Sequence, residues 1–244
     1  MTPTALSYGA GVHSTALIAL IHLGFLPRPD LILYNDVGAE HPRTIAYLAD
    51  NHQAISDAGS EFYTWTPGQH PSDPQEPLYD EQMFSGKIRI PARFRRTRTR
   101  CRRQCTVDWK VKPSHRALRR HSLTDWTLWL GIAADEAHRS AHTPHNPAWL
   151  TIRRPLVELG IDKAECKRII LEAGLPVPPK SGCWFCPFQR VDTWTQLHQE
   201  HPDLYTRAQA LEDHLNTFRP GDEIDIIPPT AKKQVATAAS AINL

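Results

Sequence analysis

Short apolar segments alternate with longer amphipathic ones along the N-terminal part of the chain. Residues 4–7 and 31–34 are apolar runs of strand length, and residues 14–23 between them are apolar over the length of a helix. A second helix is predicted over residues 42–58 and a third strand over 61–66. Strands that alternate with helices form parallel sheets. The pattern therefore predicts an α/β fold with a doubly wound parallel sheet.

The rest of the chain continues this alternation less regularly. Proline-rich residues 67–77 predict a surface loop, and the predicted elements that follow are helix 113–120, strand 126–132, helix 162–173 and helix 202–218. Small residues dominate after Pro229 and predict a flexible tail. We expect a nucleotide-binding α/β domain over residues 1–178, followed by a small helical, cysteine-bearing segment over residues 179–244.

Composition narrows the class of protein. The chain has 244 residues, 28 Lys and Arg against 26 Asp and Glu, and a hydrophobic content of 41%, which is typical of a globular protein. The longest apolar stretch, residues 16–26, is interrupted by His22 and Gly24 and is too short to span a bilayer. We therefore expect an unprocessed cytoplasmic protein with no membrane partner.

A glycine-bearing turn joins the first predicted strand to the first predicted helix. Its sequence is Ser7-Tyr8-Gly9-Ala10-Gly11-Val12-His13-Ser14. Backbone N–H groups and the helix dipole converge at such a position and favour a bound anion. It lacks the Gly-Lys-Ser/Thr ending of a Walker A loop, and a tight turn with a capping serine is the alternative.

Five cysteines form clusters rather than a disulfide framework. Cys183 and Cys186 have the spacing that lets two sulfurs reach one metal, while Cys101, Cys105 and Cys166 are candidates for the other positions. A tetrahedral zinc site and an iron-sulfur cluster both use four thiolates, so spacing alone does not separate them. A redox dithiol is a further alternative for the Cys-x-x-Cys pair.

A basic run lies in the middle of the chain. Residues 83–107 contain no acidic side chain, and residues 93–103 within them include seven arginines: Arg93, Arg95, Arg96, Arg98, Arg100, Arg102 and Arg103. Such a run can neutralise phosphates of tRNA or DNA, and a solvated loop or a neighbouring anionic site are the alternatives.

Several motifs together resemble one family of enzymes. The turn at Ser7 to Ser14 is similar to the pyrophosphate-binding loop of the adenine nucleotide alpha-hydrolase (PP-loop) superfamily, with His13 in place of the usual Asp. Residues 35–42, Asn-Asp-Val-Gly-Ala-Glu-His-Pro, resemble the end of the second strand in its phosphoadenosine phosphosulfate (PAPS) reductase branch. Residues 105–113, 131–139 and 179–188 extend the resemblance to phage and bacterial PAPS-reductase-like, DndC-like proteins.

This resemblance implies ATP with Mg²⁺ as the ligand and a [4Fe-4S] cluster as the cofactor, with zinc as the alternative. The implied nucleotide-binding residues are Ser7, Tyr8, Gly9, Ala10, Gly11, His13, Ser14 and Asp36. Asp135, Arg139 and Lys110 are the implied catalytic residues. Cys105, Cys166, Cys183 and Cys186 are the implied cluster ligands, with Cys101 as the spare thiol.

Three functions follow as alternatives. The first is an ATP pyrophosphatase that adenylates an acceptor and supports thiolation, with a sulfur donor protein or small thiol and a tRNA or DNA as partners. The second is a thiol-dependent PAPS or adenylylsulfate reductase. No cysteine follows Cys186 to act as the nucleophile that PAPS reductases use, which favours the first function. The third is a nucleic-acid-binding module with a structural zinc.

Overall fold

A computed structural model of the chain describes residues 2–142 and 146–242, with the side chains of residues 139–142 and 239–242 left aside. The strands are β1 (Thr4–Tyr8), β2 (Leu31–Asn35), β3 (Glu61–Trp65), β4 (Arg93–Phe94), β5 (Trp126–Leu130), β6 (Leu150–Arg153) and β7 (Ile224–Asp225). The α-helices are α1 (Val12–His22), α2 (Pro42–Asp50), α3 (His52–Asp57), α4 (Leu78–Ser85), α5 (Gln104–Thr106), α6 (Lys112–His121), α7 (Pro155–Glu158), α8 (Lys163–Glu172), α9 (Val191–Glu200), α10 (Pro202–Thr217) and α11 (Pro229–Ile242). A π-helix (Val107–Val111) and a 3-10 helix (Ala134–His142) complete the elements.

The chain forms two compact units. The first comprises Met1–Asp36, Glu40–Thr66 and Lys112–Ser181. The second comprises Val37–Ala39, Pro67–Val111 and Gly182–Leu244. The expected division after residue 178 lies close to the division after Ser181. The segment over residues 67–111, however, groups with the C-terminal residues instead of with the nucleotide-binding domain in which we placed it.

The first unit is built on a parallel sheet with the order β3-β2-β1-β5-β6 among the described residues. Side chains of β1 alternate between two cores, as strand periodicity requires. Leu6 and Tyr8 pack with α1, α3 and α8, whereas Ala5 packs with Leu118 of α6 and with β5. Helices therefore cover both faces of the sheet, and the prediction of a doubly wound α/β fold is confirmed.

The order of the strands reverses beside β1. The chain moves outward from β1 to β2 and β3 on one side, and then returns to add β5 and β6 on the other side. In open parallel sheets the crevice that binds ligands lies at the carboxyl ends of the strands, at the point where this order reverses. In this chain that point lies between the ends of β1 and β5.

The predicted helix over residues 42–58 is in fact two helices, and the continuous helix was a wrong prediction. Helix α2 ends at Asp50, and Asn51 leaves helical geometry with φ −114° and ψ 11°. The side-chain amide of Asn51 donates to the carbonyl of Tyr47 at 2.8 Å. This local hydrogen bond competes with the helical ladder, and the chain restarts at His52 as α3.

The second unit contains a two-stranded antiparallel sheet and a group of helices. Strand β4 pairs with β7, and α9 packs against α10 and α11. The prediction of a flexible tail after Pro229 was wrong, because α11 occupies Pro229–Ile242. Ala231 and Val235 are buried one helical turn apart, so α11 has an apolar face despite its small residues.

An acidic pair is buried in the second unit and holds β4 and β7 together with α10. Glu212 of α10 accepts hydrogen bonds from the backbone N–H groups of Ile226 and Ile227 at 2.8 and 3.0 Å. Glu212 and Asp225 are both paired with Arg95 and Lys232. Because each buried charge has partners of opposite sign, the network avoids the cost of an uncompensated charge.

The described residues include no helix that is both long and apolar enough to cross a membrane.

Candidate functional site

The turn between β1 and α1 is the centre of the candidate site. Ser7 pairs in the sheet with Leu33 and Leu130, so the strand is fixed up to the start of the turn. Ala10 is fully buried and has a φ of +50°, a left-handed conformation that costs a residue with a side chain about 1–2 kcal/mol. Gly11 then returns to extended geometry before α1 begins at Val12. Strained backbone of this kind concentrates at ligand-binding turns.

The Ser14 hydroxyl organises the turn. It accepts hydrogen bonds from the backbone N–H groups of Gly9 at 3.2 Å and Gly11 at 3.3 Å, and it donates to the Gly11 carbonyl at 3.1 Å. Two backbone N–H groups therefore converge on one oxygen at the first turn of a helix. A phosphate oxygen is the ligand that such converging donors recognise.

Two close approaches define the walls of the turn. A Cβ atom on Gly131, just after β5, would lie 2.7 Å from the Ser14 backbone nitrogen. A Cβ atom on Gly11 would lie 2.7 Å from the Ser181 hydroxyl oxygen. By contrast, a Cβ atom on Gly9 would meet nothing within 4 Å. The turn is thus packed tightly from β5 and from residue 181, and it is open beside Gly9.

Acidic side chains after β5 lie beside the start of α1. Nδ1 of His13 is 3.7 Å from a carboxylate oxygen of Glu136. Asp135 is exposed and accepts a hydrogen bond from the backbone N–H of Lys163 at 3.2 Å. The segment that follows Gly131 therefore supplies two carboxylates in the first unit, and Glu136 is the one next to the turn.

The end of β2 supplies polar groups to the same edge of the sheet. Nδ2 of buried Asn35 donates to the hydroxyl of Ser114 at 2.8 Å. The next residue, Asp36, is half-buried, and its backbone N–H donates to the carbonyl of Trp65.

Tyr8 lies at the end of β1. Its hydroxyl oxygen is 3.3 Å from that of Thr15, and burial raises the pKa of Tyr8 well above its usual value. Tyr8 is therefore a neutral hydrogen-bonding group.

Lys110 and Arg139 are the other two predicted catalytic residues. Lys110 is half-buried in the π-helix of the second unit. Arg139 belongs to the 3-10 helix, but its side chain lies outside the described residues. Their catalytic roles stay predictions.

The Cys-x-x-Cys pair forms a tight turn in the second unit. The backbone N–H of Cys186 donates to the carbonyl of Cys183 at 3.1 Å. The side-chain amide of Gln189 donates to the carbonyls of Cys183 and Trp184 and holds the turn closed. Cys101 and Cys105 belong to the same unit, and both have backbone hydrogen bonds, to Ala92 and Arg89 respectively. Burial raises the pKa of the Cys101 thiol.

Cys166 has different surroundings. It lies on α8 with no exposed surface, in the apolar core that α1 and α8 share in the first unit. Burial, with Asp135, Asp162 and Glu165 acting in the same direction, raises the pKa of the Cys166 thiol to about 12. With this pKa, the thiol is protonated at neutral pH in the metal-free chain. These surroundings are those of a packed core thiol.

A metal centre requires several ligands that converge on one point. The described residues contain no group of three or more His, Cys, Asp or Glu side chains arranged to hold a metal ion. A cluster with Cys105, Cys166, Cys183 and Cys186 as ligands needs four converging thiolates, and this ligand set stays a prediction. Mg²⁺ bound to a nucleotide needs fewer protein ligands, because phosphates and waters supply most of its coordination.

Sequence reasoning did not assign roles to Ser181, Asn35 and Ser114. Ser181 and Asn35 each belong to a segment that carried the family resemblance, but only the folded chain brings Ser181 to Gly11 and Asn35 to Ser114. Asn35 was recognisable as the polar residue that ends a buried strand. Ser114 on α6 carried no comparable signal.

Neither a protein-family model nor a curated protein sequence matches the chain. Among solved structures, it is similar to phosphoadenylyl-sulfate (PAPS) reductase from Candida auris, solved as a phosphate complex. The sequence identity is 14%, the TM-score is 0.51, and the alignment covers 75% of this chain and 82% of the reductase. The chain therefore has the α/β fold of that reductase.

Proposed function

We propose that this chain is a nucleotide-binding enzyme that splits ATP between its α and β phosphates. The observation that carries the proposal is the turn at Gly9 to Ser14, where two backbone N–H groups converge on one oxygen. The turn lies where the strand order reverses, which is where open parallel sheets bind ligands. The similar reductase was solved with phosphate, and a shared fold supports a phosphate ligand for this chain as well.

Each group at the sheet edge has a role in this proposal. The N–H groups of Gly9 and Gly11 and the Ser14 hydroxyl bind the β and γ phosphates, with the oxygen of Ser14 giving up its internal hydrogen bonds. Asp36 accepts hydrogen bonds from ribose hydroxyls. Glu136, assisted by Asp135, holds Mg²⁺ against the phosphates. Arg139 stabilises the charge that develops on the leaving pyrophosphate.

The reaction is a transfer of the adenylyl group. An acceptor oxygen attacks the α-phosphorus, a new P–O bond forms, and the bond to the oxygen that bridges α and β phosphates breaks. Pyrophosphate leaves with that electron pair. Hydrosulfide, supplied as the small thiol or released by a sulfur donor protein, then attacks the carbon that bears the adenylated oxygen. A carbon–sulfur bond forms, the carbon–oxygen bond breaks, AMP leaves with that electron pair, and the proton on sulfur is lost to solvent. Catalysis rests on positioning and charge stabilisation.

Reduction of PAPS or adenylylsulfate is the second candidate, and the likeness to a PAPS reductase favours it. Residues 187–244 contain no cysteine, so an external thiol would have to attack the sulfonate sulfur. A nucleic-acid-binding module with a structural zinc is the third candidate, and in it the glycine turn has no ligand.

Product analysis distinguishes these functions. The protein is incubated either with ATP, Mg²⁺ and candidate acceptors, or with PAPS and reduced thioredoxin. Release of pyrophosphate and AMP in the first mixture, reduced in Ser14→Ala, supports adenylyl transfer. Sulfite in the second mixture alone supports the reductase. Formation of ADP and phosphate only, or no reaction in either mixture, contradicts both.

The metal centre requires its own experiment. Iron and zinc are measured after anaerobic purification of the wild type and of single Ser substitutions at Cys105, Cys166, Cys183, Cys186 and Cys101. The predicted four-thiolate centre requires iron in the wild type and its loss on substitution of any of its four ligands, Cys105, Cys166, Cys183 and Cys186, with Cys101→Ser unchanged. Retention of iron in Cys166→Ser with its loss in Cys101→Ser would make Cys101 the fourth ligand. Zinc without iron supports the structural-zinc alternative, and a protein without metal contradicts both.

A further inference from the structure

The seven arginines of the basic run belong to one hairpin in the second unit. We refer to residues 92–103 as the arginine hairpin. Arg93 pairs with Arg100 across it, the backbone N–H of Phe94 donates to the carbonyl of Thr99 at 2.9 Å, and that of Arg98 donates to the carbonyl of Phe94 at 3.0 Å. The hairpin therefore has a defined backbone and is not an open loop.

Some of these arginines are held by the rest of the second unit. Arg95 donates to Asp225 at 2.9 Å and to Glu212 at 3.2 Å, so its charge is neutralised by the buried acidic pair. Arg100 stacks on the ring of Phe188, 4.7 Å from the ring centroid, and Arg103 lies over the same ring at 5.6 Å. These three arginines hold the hairpin in place. Two of them, Arg100 and Arg103, also cover the ring of Phe188.

The other charges of the hairpin remain available. Arg96, Arg98 and Arg102 are exposed, and the described part of the chain offers their side chains no ion pair, hydrogen bond or ring contact. The nearby carboxylate of Asp222 is 3.8 Å from Arg219. Like charges that are concentrated on one exposed hairpin repel one another, and a polyanion relieves this repulsion.

Arg98 also occupies a position that is unfavourable for its backbone. Its φ is +61°, in the left-handed region where glycine is preferred. Arg98 is the last residue of the turn that joins Phe94 to Thr99, and short hairpin turns commonly end in a residue with this left-handed conformation.

We infer that the arginine hairpin binds single-stranded nucleic acid. Arg96, Arg98 and Arg102 contact successive phosphates. Bases stack on the stacked guanidinium groups and on the 42% of Phe188 that is exposed. Exposed arginine side chains can bind phosphates, and the guanidinium groups stacked on Phe188 offer a flat surface to a base. This combination favours an unpaired strand, because the bases of a duplex are already stacked on one another. The inference concerns binding only and does not depend on the proposed reaction with ATP.

The test measures binding of the full chain to short fluorescent oligonucleotides by anisotropy, from about 50 to 200 mM salt. Loss of three phosphate contacts in R96Q/R98Q/R102Q is expected to weaken binding and to reduce the slope of log K against log salt by about 2. Phe188→Leu, which removes the ring face but no charge, is expected to weaken binding with an unchanged slope.

A matched variant, K167Q/R190Q/K233Q, also removes three exposed positive charges, but none from the hairpin. It is expected to bind like the wild type. Three results overturn the inference: no binding by the wild type, equal losses in both triple variants, or equal affinity for a duplex. Displacement of the oligonucleotide by poly-glutamate at equal charge concentration also overturns it, because the hairpin would then bind acidic proteins in general.

Discussion

A Cβ atom built on Gly131 would lie 2.7 Å from the backbone nitrogen of Ser14, so β5 ends directly against the first turn of α1. The obstructing atoms belong to the backbone of residues 13 and 14 and cannot rotate away. The turn therefore keeps its shape only because residue 131 is a glycine and has no side chain. Ser14 in turn holds the N–H groups of Gly9 and Gly11.

We predict that Gly131→Ala and Gly9→Ala have different effects. Gly131→Ala displaces the turn and is expected to lower the free energy of unfolding by about 1–3 kcal/mol, together with the affinity for ATP. Gly9→Ala places a methyl group in open space and is expected to leave stability unchanged within about 0.5 kcal/mol while weakening ATP binding. Urea denaturation and calorimetric titration with ATP and Mg²⁺ measure the two quantities. Normal ATP binding by both variants would remove the turn from the nucleotide site.

Two adjacent arginines provide a second comparison. Arg95→Gln removes a partner of buried Glu212 and Asp225, and we expect a loss of about 1–3 kcal/mol in the free energy of unfolding. Lys232 continues to neutralise the pair, which keeps the loss moderate. Arg96→Gln is expected to change stability by less than about 0.5 kcal/mol. Denaturation in urea checks both variants, and equal stabilities would show that Arg95 does not anchor the hairpin.

Arg98→Gly is expected to stabilise the protein. Glycine adopts a φ of +61° without the strain that a side chain causes, so the substitution stabilises the folded chain. Part of this stabilisation is lost because glycine has greater conformational freedom in the unfolded chain. A net increase of up to about 1 kcal/mol in the free energy of unfolding follows. Thr97→Gly, one position earlier and with no positive φ, is the control and is expected to be neutral or destabilising. A loss of stability in Arg98→Gly would contradict the assigned strain.

The pKa of Cys166 leads to a prediction about alkaline pH. Its usual value is 9.0 and the folded chain raises it to about 12, so between these values the unfolded chain releases a proton that the folded chain keeps. The free energy that the protonated Cys166 thiol contributes to folding is fully present below pH 9. Above pH 9 this contribution decreases, by at most about 1.4 kcal/mol for each pH unit. Cys166→Ala removes this term. The stability difference between wild type and variant is therefore expected to narrow between pH 8 and pH 10.

Denaturation of both proteins at the two pH values measures this difference, and comparison within the pair cancels the other groups that titrate. A constant difference would mean that Cys166 is not shielded in the core. Iodoacetamide provides a separate check, since native Cys166 is expected to react far more slowly than Cys183 or Cys186.

The central sheet was predictable because its strands are apolar runs separated by segments of helical length. The turn at Gly9 to Ser14 was predictable from its position between such a strand and helix. By contrast, the break at Asn51 depends on one side-chain hydrogen bond, and α11 depends on burial of Ala231 and Val235. The first is a local effect of one side chain and the second is a tertiary effect, and composition alone predicts neither.

The candidate site was predictable only in part. The sequence placed carboxylates after β5, but it did not show that Glu136 rather than Asp135 lies beside His13. It also made Cys166 equivalent to the other cysteines, since an apolar environment is a property of the fold and not of spacing. Likewise, the seven arginines look alike in sequence, but in the fold four have partners in the second unit, including Arg93, which donates to the Arg98 carbonyl, and the other three side chains are available.

The pairing of β4 with β7 has a consequence for relatives of this chain. Strand β4 lies in the segment over residues 67–111, and β7 lies in the segment over residues 182–244, yet each supplies the other's hydrogen-bonding edge. A relative without the second of these segments would leave the counterpart of Arg95 without its acids and the counterpart of β4 without a neighbour. The two segments are therefore expected to be present together or missing together among related proteins.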